Sequence, residues 1–101
     1  MREKSFKARI LFYTSAKGNF NFPISGSIRV SFWLPNSTVS TFSEIAPLSI
    51  TGRIDIWIPT EVRVTILERD FLQKKIIMGA EFKLGVFPHE IAHGEIIEII
   101  T

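Results

Sequence analysis

The residues in this chain best suited to chemistry are two histidines four apart with a glutamate beside the first: His89-Glu90-Ile91-Ala92-His93. On a helix, the pattern H-E-x-x-H stacks two imidazoles one turn apart. They can then converge on a zinc ion at about 2.0–2.1 Å, with the glutamate as general base of a metallopeptidase. On an extended strand the two rings share a face but stand about 13 Å apart, too far for one tetrahedral ion. Secondary structure therefore decides what the motif can do. The surrounding Ile91, Ile96, Ile97, Ile99 and Ile100, with Gly94 among them, favour a strand, whereas Pro88 is a residue that can open a helix. A zinc enzyme also needs a third protein ligand. His89 and His93 are the only histidines, and Glu95 and Glu98 are too near on the same element to complete the set. Zinc chemistry through His89, Glu90 and His93 is thus one reading, and a chance match in a β-hairpin is the other.

Other catalytic constellations are missing. There is no cysteine to act as nucleophile or thiolate ligand, no G-x-x-x-x-G-K-[ST] phosphate loop, no glycine-rich dinucleotide fingerprint and no G-x-S-x-G elbow. No nucleotide and no cofactor are expected. Asp55, Glu61, Glu68 and Asp70 could be paired as acid and base, but alternation puts the first two on polar strand faces and the others in a turn. They read as solvated charges.

The elements that would carry these residues are strands, because apolar side chains recur at every second position. Phe6, Ala8, Ile10 and Phe12 share one face and Lys7 and Arg9 the other; Ile28, Val30, Phe32 and Leu34 oppose Arg29, Ser31 and Trp33. The stretch 38–51 predicts one short strand and a long loop. Ile54, Ile56 and Ile58 predict a strand before Pro59, and Val62, Val64 and Ile66 another after it. Ala80, Phe82 and Leu84 predict the next, followed by a turn at Gly85-Val86-Phe87-Pro88 and the isoleucine-rich tail. Strands at intervals of about ten residues imply an antiparallel sandwich or barrel.

Composition bounds the rest. A chain of 101 residues makes one domain, residues 1–101, and 46% hydrophobic residues with nine Phe supply its core. The net charge of +2 is small, and no long basic run announces nucleic acid. Met1-Arg2-Glu3-Lys4-Ser5 opens no signal-like apolar region, and no run approaches the ~20 apolar residues of a membrane helix. With no cysteine, the expectation is a cytoplasmic protein with no membrane partner.

Several spaced residues carry a resemblance. Phe6-Lys7-Ala8 opens the first strand, and Gly18, Pro23, Arg29 and Phe32 follow ungapped. Pro59 and Glu61 precede Val62-Arg63-Val64-Thr65, and Gly79, Phe82, Ile91, Gly94, Ile96 and Ile99 close the chain. Over nearly its whole length this set resembles the C-terminal, third β-barrel domain of elongation factor Tu. The resemblance implies a free-standing, closed antiparallel barrel of about six strands, with His89 to His93 along a hairpin strand. In that family the domain packs on a GTPase domain and helps hold the aminoacyl-tRNA stem. The GTPase activity itself is not implied, because the phosphate loop belongs to another domain.

Two loops depart from the family. Gly18-Asn19-Phe20-Asn21-Phe22-Pro23 stands where the family has Gly-Gly-Arg-x-Thr-Pro, and Gly85-Val86-Phe87-Pro88-His89 replaces Arg-Glu-Gly-Gly-Arg. Loss of cations and a hydroxyl weakens phosphate contact and favours an apolar interface. The leading expectation is therefore a non-enzymatic module that binds another protein, such as an immunity protein neutralising a bacterial toxin. Phe20, Phe22, Trp57 and Phe87 would be its anchors. Alternatively, Phe20 and Phe22 fold back over the barrel mouth. Trp33 and Trp57 lie on otherwise polar faces, which predicts partial exposure of both. RNA binding through Lys7, Arg9, Arg29, Lys74 and Lys75 is the alternative function, and the zinc site at His89 and His93 the second alternative.

Overall fold

A computed structural model describes residues 2–48 and 52–100. Six strands form: β1 (Glu3–Phe12), β2 (Ile28–Trp33), β3 (Thr41–Pro47), β4 (Thr60–Leu67), β5 (Glu81–Val86) and β6 (His89–Ile99). Each pairs antiparallel with its neighbours, and the sheet closes on itself in the order β1-β4-β3-β2-β5-β6. Closure gives each strand a partner on both sides, although β2 and β5 pair over only Ser31 to Trp33 and Lys83 to Gly85.

Alternation explains the barrel wall. Phe6, Ala8, Ile10 and Phe12 of β1 are all but inaccessible, and Val62, Val64 and Ile66 answer them from β4. In the middle, Phe32 and Phe82 stack at 4.9 Å between ring centroids, and Phe6 meets both rings at an angle from 5.9 and 5.8 Å. The three rings supply large apolar area with favourable edge and offset geometry. Buried hydroxyls are bonded: Thr41 Oγ1 donates to the Leu67 carbonyl at 2.8 Å and Ser43 Oγ to that of Val30 at 2.9 Å.

Loops close the two ends of the wall. At one end the 3-10 turn Asp70–Leu72 and the residues after it insert Leu72 and Ile76. At the other, the 3-10 turn Thr14–Gly18 inserts Ala16, while Ile24 and Ile54 exchange both backbone hydrogen bonds at 2.8 Å and are buried together.

The segment Ile54 to Ile58, expected as a strand, is not one. It makes isolated bridges, Ile54 to Ile24 and Ile56 to Phe12, and turns at Trp57. The reason is topological: both edges of β1 are already taken by β4 and β6, so no ladder position is left for a further strand. The expected short strand within 38–51 is β3, and residues 49–51 of the long loop lie outside the described residues. Trp33 also differs from expectation. It is only 5% exposed because Phe87 lies edge-on to it at 5.0 Å, covering it outside the main core cluster. Among the described residues no helix is long and apolar enough to cross a membrane.

Candidate functional site

The H-E-x-x-H residues lie on β6, not on a helix. Their alternation is interrupted, because the β5–β6 register shifts between Leu84 and Gly85, so Leu84 faces Ala92 while Gly85 faces Glu90. The extra residue is Ile91, and it and Ala92 are both buried. Gly85 permits the bulge: a Cβ there would stand 2.0 Å from the His89 carbonyl oxygen, a distance no side chain tolerates. Glu90 and His93, three positions apart, consequently reach the same neighbour on the outside of the wall.

That neighbour is Tyr13, the residue after β1. Its backbone N–H donates to the Ile91 carbonyl at 2.9 Å, pinning it to the bulge. Its hydroxyl bonds to Glu90 Oε2 and stands 2.5 Å from His93 Nδ1. The other oxygen of Glu90 accepts from Lys83 Nζ at 2.7 Å. Burial opposes the charge on Glu90, but Lys83 and the Tyr13 hydroxyl outweigh it and hold its carboxyl below the ordinary value. Burial, and then Glu90, push the Tyr13 phenol well above its ordinary value.

Trp57 completes the group. Its ring lies 5.4 Å from that of Tyr13, which in turn lies 5.4 Å from His93, so the three form a row. Two hydrogen bonds brace it: its backbone N–H to the Phe12 carbonyl at 2.9 Å and its indole N–H to Thr14 Oγ1 at 2.8 Å. The backbone at Trp57 is left-handed, φ 62°, yet 56% of the residue faces solvent, as does 56% of Ile58. Beside the row, a groove of about 220 Å³ runs along Leu11, Pro59, His93 and Gly94.

The other expected anchors sit deeper. Phe20 and Phe22 are half-buried against the core, with Phe22 edge-on to Phe12 at 5.4 Å, and Phe87 is half-buried over Trp33. The five cations expected for RNA do not share a face. Lys7 and Arg9 on β1 both bridge Glu61, at 3.2 and 3.4 Å, holding its carboxyl below the ordinary value. Arg29 lies on β2, three strands round the barrel, opposite Glu44, while Lys74 and Lys75 are exposed in the loop beyond β4. No cluster of three His, Asp or Glu side chains among the described residues could hold a metal ion, so His89 and His93 find no third ligand.

Sequence reasoning missed Tyr13 and Lys83. The chain has a single tyrosine, but nothing local marks it, because its partners are 77 and 80 residues away. It also missed Phe42, which is 70% exposed over a second groove shared with Arg29 and Glu44. Neither a known protein-family model nor a curated protein matches the chain. What the fold and site define is a class: a closed six-stranded antiparallel barrel with a braced aromatic row at one end.

Proposed function

We propose that this barrel is a non-enzymatic module that binds another protein, on the plan of the third domain of elongation factor Tu, through the end that carries Trp57. The observation that carries the reading is Trp57 itself. A non-glycine residue in the left-handed region costs about 1–2 kcal/mol, and an indole half in water forgoes burial. Two hydrogen bonds and the tilted Tyr13 ring beside it nevertheless hold it in place. A large, rigid, partly exposed aromatic is the kind of residue that dominates contact energy, because little conformational entropy remains to be lost on binding.

Lys83 and Tyr13 favour the ionised form of Glu90, and burial and Glu90 favour the protonated form of Tyr13, so these two groups present a fixed polar pattern beside Trp57. Within this class, neutralisation of a toxin is the role we propose, since a closed barrel with a preset aromatic can occlude a partner without rearranging.

The test is capture of a partner from the source cell on immobilised protein, comparing wild type with Trp57→Ala, each checked for folding by circular dichroism. Specific capture should be lost in Trp57→Ala. Equal capture by the folded variant removes this surface from consideration. Capture of RNA that weakens steeply with salt would instead favour the translation-related alternative.

A further inference from the structure

The bulge in β6 gives the H-E-x-x-H residues a use other than metal binding. Tyr13 has one hydroxyl proton and two neighbours that could take it, Glu90 Oε2 and His93 Nδ1. Glu90 is a carboxylate clamped by Lys83 at 2.7 Å, so it has no proton to give and only accepts. The Tyr13 proton therefore goes to Glu90. The remaining contact, between Tyr13 Oη and His93 Nδ1 at 2.5 Å, then needs its proton from the imidazole. Neutral His93 must carry its proton on Nδ1, and its Nε2 is left as a bare acceptor. His93 is exposed, and Nε2 has no hydrogen-bond partner among the described residues.

We propose that Glu90 and Tyr13 fix the tautomer of His93 so that Nε2 accepts a hydrogen bond from the partner at the end of the row Trp57, Tyr13, His93. This rests on the protein-binding reading above and adds the polar contact that gives it direction. The donor is an N–H or O–H of the partner protein. The groove it enters beside His93 is lined by the exposed carboxylates of Glu81 and Glu95 together with Arg9, while the charge of Glu90 is already met by Lys83 and Tyr13. In this scheme His93 touches the partner directly, while Tyr13 and Glu90 are positioning residues.

The first test needs no partner. A long-range proton–nitrogen correlation spectrum of the His93 ring at pH ~8.5, above the ordinary imidazole value of ~6.5, reads the tautomer directly. The expected result is a protonated Nδ1 and a bare Nε2 in the wild type, reverting to a protonated Nε2 in Tyr13→Phe. A protonated Nε2 in the wild type, or a spectrum indifferent to Tyr13→Phe, overturns the inference. The second test measures affinity for the partner captured above. His93→Phe keeps a flat ring but deletes the acceptor, and should weaken binding roughly tenfold. If Trp57→Ala abolishes binding while His93→Phe leaves it intact, the interface stands and the acceptor role falls. If Trp57→Ala binds like wild type, the interface reading itself fails, whatever the tautomer.

Discussion

Substituting Gly94 by alanine tests whether the packing that aims His93 is as tight as the geometry requires. Gly94 is buried on β6 beside His93, facing Ile10 of β1 and Phe82 of β5. A Cβ at this position would stand 2.5 Å from Phe82 Cζ, 2.8 Å from Ile10 Cγ2 and 2.9 Å from the Arg9 carbonyl oxygen. Carbon atoms pack at about 3.5–4.0 Å, so the Phe82 ring must retreat by about an ångström. It has nowhere to go, since Phe32 is stacked on it at 4.9 Å and Phe6 meets its edge at 5.8 Å. The Arg9 carbonyl belongs to a paired strand and cannot yield alone. Overpacking of this kind costs about 1–3 kcal/mol, and contact with both backbone and a trapped ring argues for the upper end. A domain of this size loses about 4–8 °C of melting temperature per kcal/mol, so Gly94→Ala should melt roughly 10–20 °C below wild type. Thermal unfolding followed by circular dichroism measures this. Adding Phe82→Leu removes the ring atom in closest contact and should recover part of the loss relative to the additive expectation. A melting temperature within about 2 °C of wild type for Gly94→Ala would show that the β1–β6–β5 wall is looser than described, and that the aim of His93 cannot depend on it.

Other outcomes follow from the site. Tyr13 is the only tyrosine, so ultraviolet absorbance on alkaline titration reports this phenol alone, and it should stay protonated well past the ordinary ~10 while the fold persists. A folded-state pKa above the unfolded one contributes stability that is complete below pH ~10 and is lost as pH climbs beyond it; a midpoint near ~10 in folded protein would contradict the contact with Glu90. Glu90 has the opposite sign, its lowered pKa giving stability that is present above the ordinary carboxylate range and lost as pH falls through it. Glu90→Gln should therefore flatten the acid limb of a stability curve measured by urea unfolding. In Trp57→Phe the remaining emission comes from Trp33, which is 5% exposed, and should be blue-shifted and resistant to acrylamide. Easily quenched emission would mean that Phe87 does not cover Trp33.

Much of the barrel was legible in the chain because period-2 burial is a local property. Phe6, Ala8, Ile10 and Phe12 announce β1 without reference to anything else, and Val62, Val64 and Ile66 announce β4 by the same rule. Where the rule failed, a non-local fact intervened. Ile54 to Ile58 alternates like a strand, but a closed ring has no vacant edge to receive it. Trp33 alternates onto a polar face, but Phe87, 54 positions further along the chain, covers it.

The candidate site shows the same division more sharply. Sequence alone favoured a strand for His89 and His93, because isoleucine-rich alternation is read directly from the residues, and both lie on β6. It also singled out Trp57 as an aromatic in polar surroundings. Only the tertiary structure decided that a one-residue bulge opposite Gly85 turns Glu90 and His93 toward Tyr13, and that Tyr13 links them to Trp57. Those contacts join the end of β1, the β4 approach and the β5–β6 hairpin. No window along the chain holds all three, and only closure of the barrel brings them within hydrogen-bonding distance.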